Sequence, residues 1–171
     1  SGAIFRTRQE NTAEQAGIIG AKAWYRGVNA ESKGFEFDSS GALAKGWEAS
    51  AGLTRLTSIK GDNGMTVRTY VPRTTLRANT TYRLPAAPAL KVGATLAWQS
   101  ETSTDQEPGI RTVQPAYATL GLMARYDIDK HLSLSLNLNN VTDKKYLTSL
   151  YWTQSLYAAP RNGSATLSWT Y

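Results

Sequence analysis

The stretch Leu132-Ser133-Leu134-Ser135-Leu136-Asn137-Leu138-Asn139 places leucine at every second position and a small polar residue at each position between. Side chains of an extended strand point alternately to its two faces, so this octet reads as a β-strand with one apolar and one polar side. A helix would scatter the same leucines around its circumference. Whatever medium the leucine face meets must be apolar.

The same parity continues away from the octet. It holds in Ala118, Leu120, Leu122, Ala124, Tyr126 and Ile128, and in Leu90, Val92, Ala94, Leu96 and Trp98. It recurs in Leu76, Ala78, Thr80, Tyr82 and Leu84, in Trp47, Ala49, Ala51 and Leu53, and in Phe35 and Phe37. No stretch shows a 3.6-residue period. The pattern predicts an all-β, antiparallel, up-and-down protein of about eight strands, near 3–11, 26–40, 46–60, 72–84, 89–101, 115–128, 131–142 and 162–171. Connections after even-numbered strands are short (40–46, 85–88, 129–130), and those after odd-numbered strands are long (12–25, 60–71, 101–114, 143–161). In a meander the two kinds fall at opposite ends, giving one trim rim and one elaborate rim, the asymmetry of outer-membrane barrels.

Composition narrows the chemistry. At 171 residues the chain suits one domain or a piece of one. It has no cysteine and one histidine, which removes disulfide scaffolds, zinc ribbons, iron–sulfur sites and cysteine nucleophiles. The net charge of +6 suits an anionic partner such as nucleic acid, lipopolysaccharide or an acidic ligand. A mean hydropathy of -0.39 without a long apolar run excludes a transmembrane helix and says nothing against a barrel, whose strands are half apolar. The opening Ser1-Gly2-Ala3, without methionine or leader, reads as a mature or excised segment.

Two media could cover the leucine face: a second protein layer in a soluble sandwich, or lipid. Aromatic placement favours lipid. On the apolar parity, Trp47 follows one short turn, Tyr82 and Tyr126 precede two others, and Trp169 and Tyr171 close the chain, so all five fall at the trim rim. Such a girdle suits a membrane-water interface, where the ring body lies in hydrocarbon and its polar atom among headgroups. The opposite parity carries Glu36, Glu48, Arg77, Arg83, Lys91, Arg125 and Asp127, as a polar lumen requires. Arg55 breaks the rule on the parity of Leu53; eight residues beyond Trp47 on a tilted strand, it should sit roughly 20 Å above the girdle, where arginine can meet lipid phosphates.

The last third carries more specific text. Asn137-Leu138-Asn139-Asn140-Val141-Thr142-Asp143-Lys144-Lys145-Tyr146, then Ala159-Pro160-Arg161 and a final alternating strand through Ala165, Leu167, Trp169 and Tyr171, resembles the end of TonB-dependent outer-membrane receptors. Upstream, Ser32-Lys33-Gly34-Phe35-Glu36-Phe37, Trp47 and Tyr70-Val71-Pro72-Arg73 are similar to the ferric-siderophore branch of that family. The resemblance implies that residues 1–171 are the C-terminal segment of a barrel of about 22 strands, with the plug domain and TonB box absent. It implies location in the bacterial outer membrane, a ferric siderophore as transported ligand, no intrinsic cofactor, and a TonB complex acting through the missing N-terminal part. Lipid and lipopolysaccharide would be the surrounding partners.

Ligand contacts are expected on the elaborate rim. Trp24, Tyr25 and Arg26, with Tyr151, Trp152 and Tyr157, supply rings to enclose an organic shell and a guanidinium for anionic groups. Arg111, Lys144 and Lys145 are further cations there. No catalytic or metal-ligating set emerges: His131, beside Asp127, Asp129 and Lys130, reads as a polar turn, Asp62-Asn63-Gly64 likewise, and no hydrolytic triad can be assembled, so an enzyme is not expected. Two other readings remain: a complete eight-stranded outer-membrane barrel with a structural or adhesive role, and a soluble basic β domain binding nucleic acid. The latter needs stacking aromatics and cations on one face, which these strands keep apart, so no nucleic-acid partner is expected.

Overall fold

The computed structural model describes residues 1–20, 22–62, 64, 66–107, 110–150 and 155–171. Every regular element among them is a strand. They are β1 (Gly2–Ile19), β2 (Lys22–Ala44), β3 (Trp47–Gly61), β4 (Thr74–Arg83), β5 (Leu90–Gln99), β6 (Thr102–Glu107), β7 (Ile110–Gln114), β8 (Tyr117–Asp127), β9 (Leu132–Asn139), β10 (Leu147–Ser149), β11 (Leu156–Tyr157) and β12 (Asn162–Trp169). Eight of these form one sheet in the order β1-β2-β3-β4-β5-β8-β9-β12, with each neighbour antiparallel. The expected up-and-down meander is present. It is open: β1 and β12 lie at opposite ends of the order, so these strands do not make the closed eight-stranded barrel of the alternative reading.

Register keeps the apolar parity on one face from edge to edge. Leu53 is opposite Leu76, Leu76 opposite Trp98, and Trp98 opposite Ala118. Leu134 pairs with both Tyr126 and Leu167, and Leu132 with Trp169. A one-residue slip in any strand would turn its leucines to the polar face, so this agreement across the sheet fixes the register. From the Trp47, Tyr82, Tyr126 and Trp169 row to the Leu53, Leu76, Trp98 and Ala118 row, this face bears no charged side chain.

Among the described residues no second layer covers it. Leu122, Leu136 and Leu167 are 44%, 48% and 65% exposed, and among the described residues the buried apolar side chains are Ala30, Ile59 and Leu150. The accessible surface is 11921 Å², against about 8,300 Å² for a compact monomer of this mass. The molecule is a sheet with two wet faces unless something else covers one.

The structure corrects three details of the sequence reading. Residues 12–25 are not a loop: β1 and β2 continue pairing up to Ile19 and Lys22. Period-two reading fails there because β1 is bulged, Glu10 and Asn11 between Gln9 and Thr12 facing the single Asn29 on β2, with a second irregularity between Gln15 and Gly17. The 40–46 connection shrinks to Lys45-Gly46, where Gly46 takes φ 75°. Within the 101–114 and 143–161 connections stand two small hairpins, β6/β7 and β10/β11, too polar or too short to alternate.

At the trim rim, the Asp129 carboxylate accepts from the backbone of His131 (2.7 Å) and Leu132 (2.8 Å), fixing the β8–β9 turn. The His131 ring bonds the Thr170 carbonyl at 2.8 Å, tying that turn to the chain end.

Close approach of β1, β2 and β3 requires Gly34. A Cβ there would lie 2.3 Å from the Arg55 carbonyl oxygen and 2.7 Å from the ring of Phe5, which lies over the glycine. Gly41→Ala meets nothing within 4 Å. In urea unfolding of the full-length protein in micelles, Gly34→Ala is expected to lose about 1–3 kcal/mol and Gly41→Ala to stay near the parent; equal midpoints would refute this packing.

Candidate functional site

The long connections of the elaborate rim brace one another, and most of the buried groups lie there. Asn29 N–H donates to the Asp62 carboxylate (3.1 Å), joining β2 to the 62–73 connection. Thr69 exchanges two bonds with Ser103, its hydroxyl donating to the Ser103 carbonyl at 2.7 Å. Arg111 then donates to the Ser103 hydroxyl at 2.9 Å across the β6/β7 hairpin. Gln114, buried, accepts from Leu147 N–H at 2.8 Å and donates to the Pro115 carbonyl at 2.7 Å. The ring of Tyr117 stacks on that of Tyr146 with centroids 4.1 Å apart. These ties run from β2 to the loop before β12.

Arg73 anchors the 62–73 connection from below. Its N–H donates to the Ser100 hydroxyl (3.0 Å), its guanidinium to the Val67 carbonyl (3.0 Å), and its carbonyl accepts from Leu56 N–H (2.7 Å). Burial lowers its pKa from the ordinary guanidinium value.

The Asn-rich motif has a structural explanation. Asn140 is 8% exposed and adopts φ 49°. Its amide donates to the carbonyls of Lys144 (2.9 Å) and Ala159 (3.3 Å), while its side-chain oxygen accepts from Lys144 N–H (2.8 Å). Asp143, at φ 52°, accepts from Arg161 N–H at 2.7 Å. One asparagine therefore closes the start of the loop against its end, and Asp143 closes it against Arg161. Lys145 Nζ lies 4.3 Å over the Tyr157 ring.

The sequence-named ligand residues do not form one cluster. Trp24, Tyr25 and Arg26 lie on β2 near the tip of the β1/β2 hairpin, opposite Gly17, Gln15 and Glu14. Strand alternation sends Tyr25 to the face of Phe35 and Phe37, and Trp24 with Arg26 to the other. Tyr157, 64% exposed, is on β11 at the other flank of the sheet. Tyr151 and Trp152 lie outside the described residues, as does Asn63. Trp47, Tyr82, Tyr126, Trp169 and Tyr171 do form a row at the trim rim: Trp47 meets Tyr82 edge-on at 6.3 Å, Trp169 meets Tyr171 at 5.6 Å, and Trp47 Nε1 donates to Thr80 at 2.7 Å.

On the polar face near the same rim, Asp127 takes Arg125 at 2.9 Å and Arg83 at 3.3 Å, and Lys91 approaches Glu48 at 3.5 Å. These pairs are solvent-exposed and individually weak. Among the described residues no group of acidic or histidine side chains could hold a metal.

A sheet of this register, with one uncovered apolar face and one elaborated rim, has close counterparts. Residues 1–141 match the family model described as TonB dependent receptor-like, beta-barrel. The chain belongs to the TonB-dependent receptor β-barrel family. It is 34% identical to the ferripyoverdine receptor of Pseudomonas aeruginosa, over 99% of this chain and 22% of that protein. It is 36% identical to the ferric-pyoverdine BN7/BN8 receptor of Pseudomonas putida, over 94% of this chain and 19% of that protein. The structure superposes on the pyoverdine outer membrane receptor of P. aeruginosa bound to pyoverdine with a TM-score of 0.87 at 34% identity, covering 99% of this chain and 27% of the other. The chain thus spans about a fifth of the length of the curated relatives it matches. As a receptor-barrel segment it resides in the bacterial outer membrane.

Sequence reading missed Gln114 and Tyr117 as parts of the receptor rim. The available signal was parity, since Tyr117 is an aromatic on the polar side of β8. Asn140→Ala removes three side-chain bonds and leaves a positive φ on alanine, so it is expected to destabilise the loop by about 1–3 kcal/mol. Trypsin cleavage after Lys144 or Lys145 in the native protein should accelerate severalfold; an unchanged rate would contradict the clamp.

Proposed function

We propose that the chain is the C-terminal part of the barrel of a receptor that binds a ferric siderophore at the elaborate rim and imports it with energy supplied through TonB. The observation carrying this reading is the superposition of almost the whole chain, both rims included, on a receptor bound to pyoverdine. The plug and TonB box belong, on this reading, to the remainder of the gene product. Iron arrives already chelated as cargo, so the rim needs rings and cations rather than metal ligands, and transport rather than catalysis is its task. Trp24 with Arg26, and Tyr157 with Lys145 and the Tyr151-Trp152 pair, would contact the siderophore from two flanks of the mouth. Rings supply apolar area and the guanidinium attracts anionic groups.

The apolar band faces acyl chains, and the aromatic row sits at the inner headgroup boundary, where such residues are favoured. Cations and aromatics occupy opposite faces within the band, which does not suit stacking of nucleic-acid bases.

Binding of a radio-iron-loaded pyoverdine-type siderophore to cells carrying the full-length gene product tests the rim assignment. Trp152→Ala and Trp24→Ala are each expected to weaken binding roughly tenfold, and Arg125→Ala, on the wall beside the trim rim, by less than twofold. Equal affinities for the three variants would overturn it.

A further inference from the structure

Two residues of the β7–β8 junction take hold of the chain on either side of Tyr157. Gln114, buried at the end of β7, accepts from Leu147 N–H at 2.8 Å, and Leu147 is the register partner of Tyr157 in the β10/β11 hairpin. Tyr117, at the start of β8, stacks on Tyr146 with the ring planes 23° apart, and the Tyr146 carbonyl accepts from Ala158 N–H at 2.9 Å. The Asn140 clamp fixes the two ends of this loop, Lys144 and Ala159, but not the residues between them.

What this brace holds is of no evident use to the sheet. Tyr157 and Leu156 are 64% and 66% exposed. Lys145 Nζ lies over the Tyr157 ring, and no carboxylate among the described residues pairs with it. Strands of three and two residues do not hold a hairpin together in water by themselves, so without Gln114 and Tyr117 the ring and the ammonium would sample many positions. Fixing exposed side chains costs conformational entropy that nothing else in the described chain repays. A ligand that meets them already fixed is spared that cost on binding.

We propose that Gln114 and Tyr117 are positioning residues for ligand binding: they hold Tyr157 and Lys145 ready for the organic shell and the anionic groups of a ferric siderophore. Gln114 acts through the Leu147 amide and Tyr117 through the Tyr146 ring, and neither touches the ligand. The stack requires a ring at position 117 and not its hydroxyl, whereas the bond to Leu147 requires an acceptor at position 114. The inference deepens the siderophore-binding reading given above and rests on it.

Two measurements on the full-length receptor in detergent test it. A nitroxide at position 156, read by electron paramagnetic resonance without ligand, is expected to be restrained in the parent and in Tyr117→Phe, and mobile in Tyr117→Ala and Gln114→Leu. Radio-iron-loaded pyoverdine is expected to bind Tyr117→Ala and Gln114→Leu about fivefold more weakly, and Tyr117→Phe within about twofold of the parent. On a Lys145→Ala/Tyr157→Ala background, Gln114→Leu should change affinity by less than about twofold, because the groups it positions are gone. Equal nitroxide mobility in all four proteins, parent-like binding by Tyr117→Ala and Gln114→Leu, an equal loss in Tyr117→Phe, or an undiminished effect of Gln114→Leu on that background would each overturn the proposal. Heat-modifiable migration confirms that the variants are folded. The two readings fail separately. Parent-like binding by Lys145→Ala/Tyr157→Ala, or no pyoverdine binding by the parent, would refute the ligand contact and with it the role in binding, even where the nitroxide shows that the brace holds the hairpin.

Discussion

The strands β3, β4, β5, β8, β9 and β12 each have one apolar side, and no second layer among the described residues covers it. Full burial of a leucine contributes about 1.5–3 kcal/mol, and Leu122, Leu136 and Leu167 forgo much of that within the polypeptide. A sheet that leaves this surface in water is not a stable soluble fold. The hydrocarbon of a bilayer therefore acts as the missing half of the core, and register follows from it: each strand must present its leucines to the same side.

The second constraint lies at the rims. Backbone groups at strand ends must be paired or hydrated, and the two ends meet this requirement differently. At one end, tight turns such as Lys45-Gly46 and the Asp129-capped turn suffice. At the other, long connections build the protein's own small interior around Ser103, Gln114, Asn140 and Leu150, each buried. Asn140, Gln114 and the Tyr117–Tyr146 stack tie distant loop segments to one another. The ion pairs of the polar face, exposed and individually weak, add little to this framework.

Much of this was legible because period-two alternation is a local property. The octet from Leu132 to Asn139 named its own strand, and the parities of the strands near 46–60, 72–84, 89–101 and 115–128 each gave the face that the register later joined. The aromatic row was readable for the same reason, as was the place of Arg55 on the face of Leu53. The tall β1/β2 hairpin was hidden because two bulges shift the phase of β1, so alternation read along residues 12–25 cancels. The loop interior was hidden because Gln114 and Leu147, or Tyr117 and Tyr146, are brought together by the fold rather than by spacing. Adjacent letters misled in the opposite sense: Trp24 and Tyr25 look like one cluster on paper, but neighbouring positions on a strand face opposite ways.

Site-directed spin labelling of the full-length receptor in liposomes tests the lipid-facing sheet most directly. Nitroxides at positions 132 to 139, read one at a time by their collision with oxygen and with a water-soluble nickel chelate, should alternate: oxygen accessibility high and nickel accessibility low at the leucine positions, and the reverse at Ser133, Ser135 and Asn137. Leucine positions shielded from both reagents would mean that protein covers that face, and the account would fail.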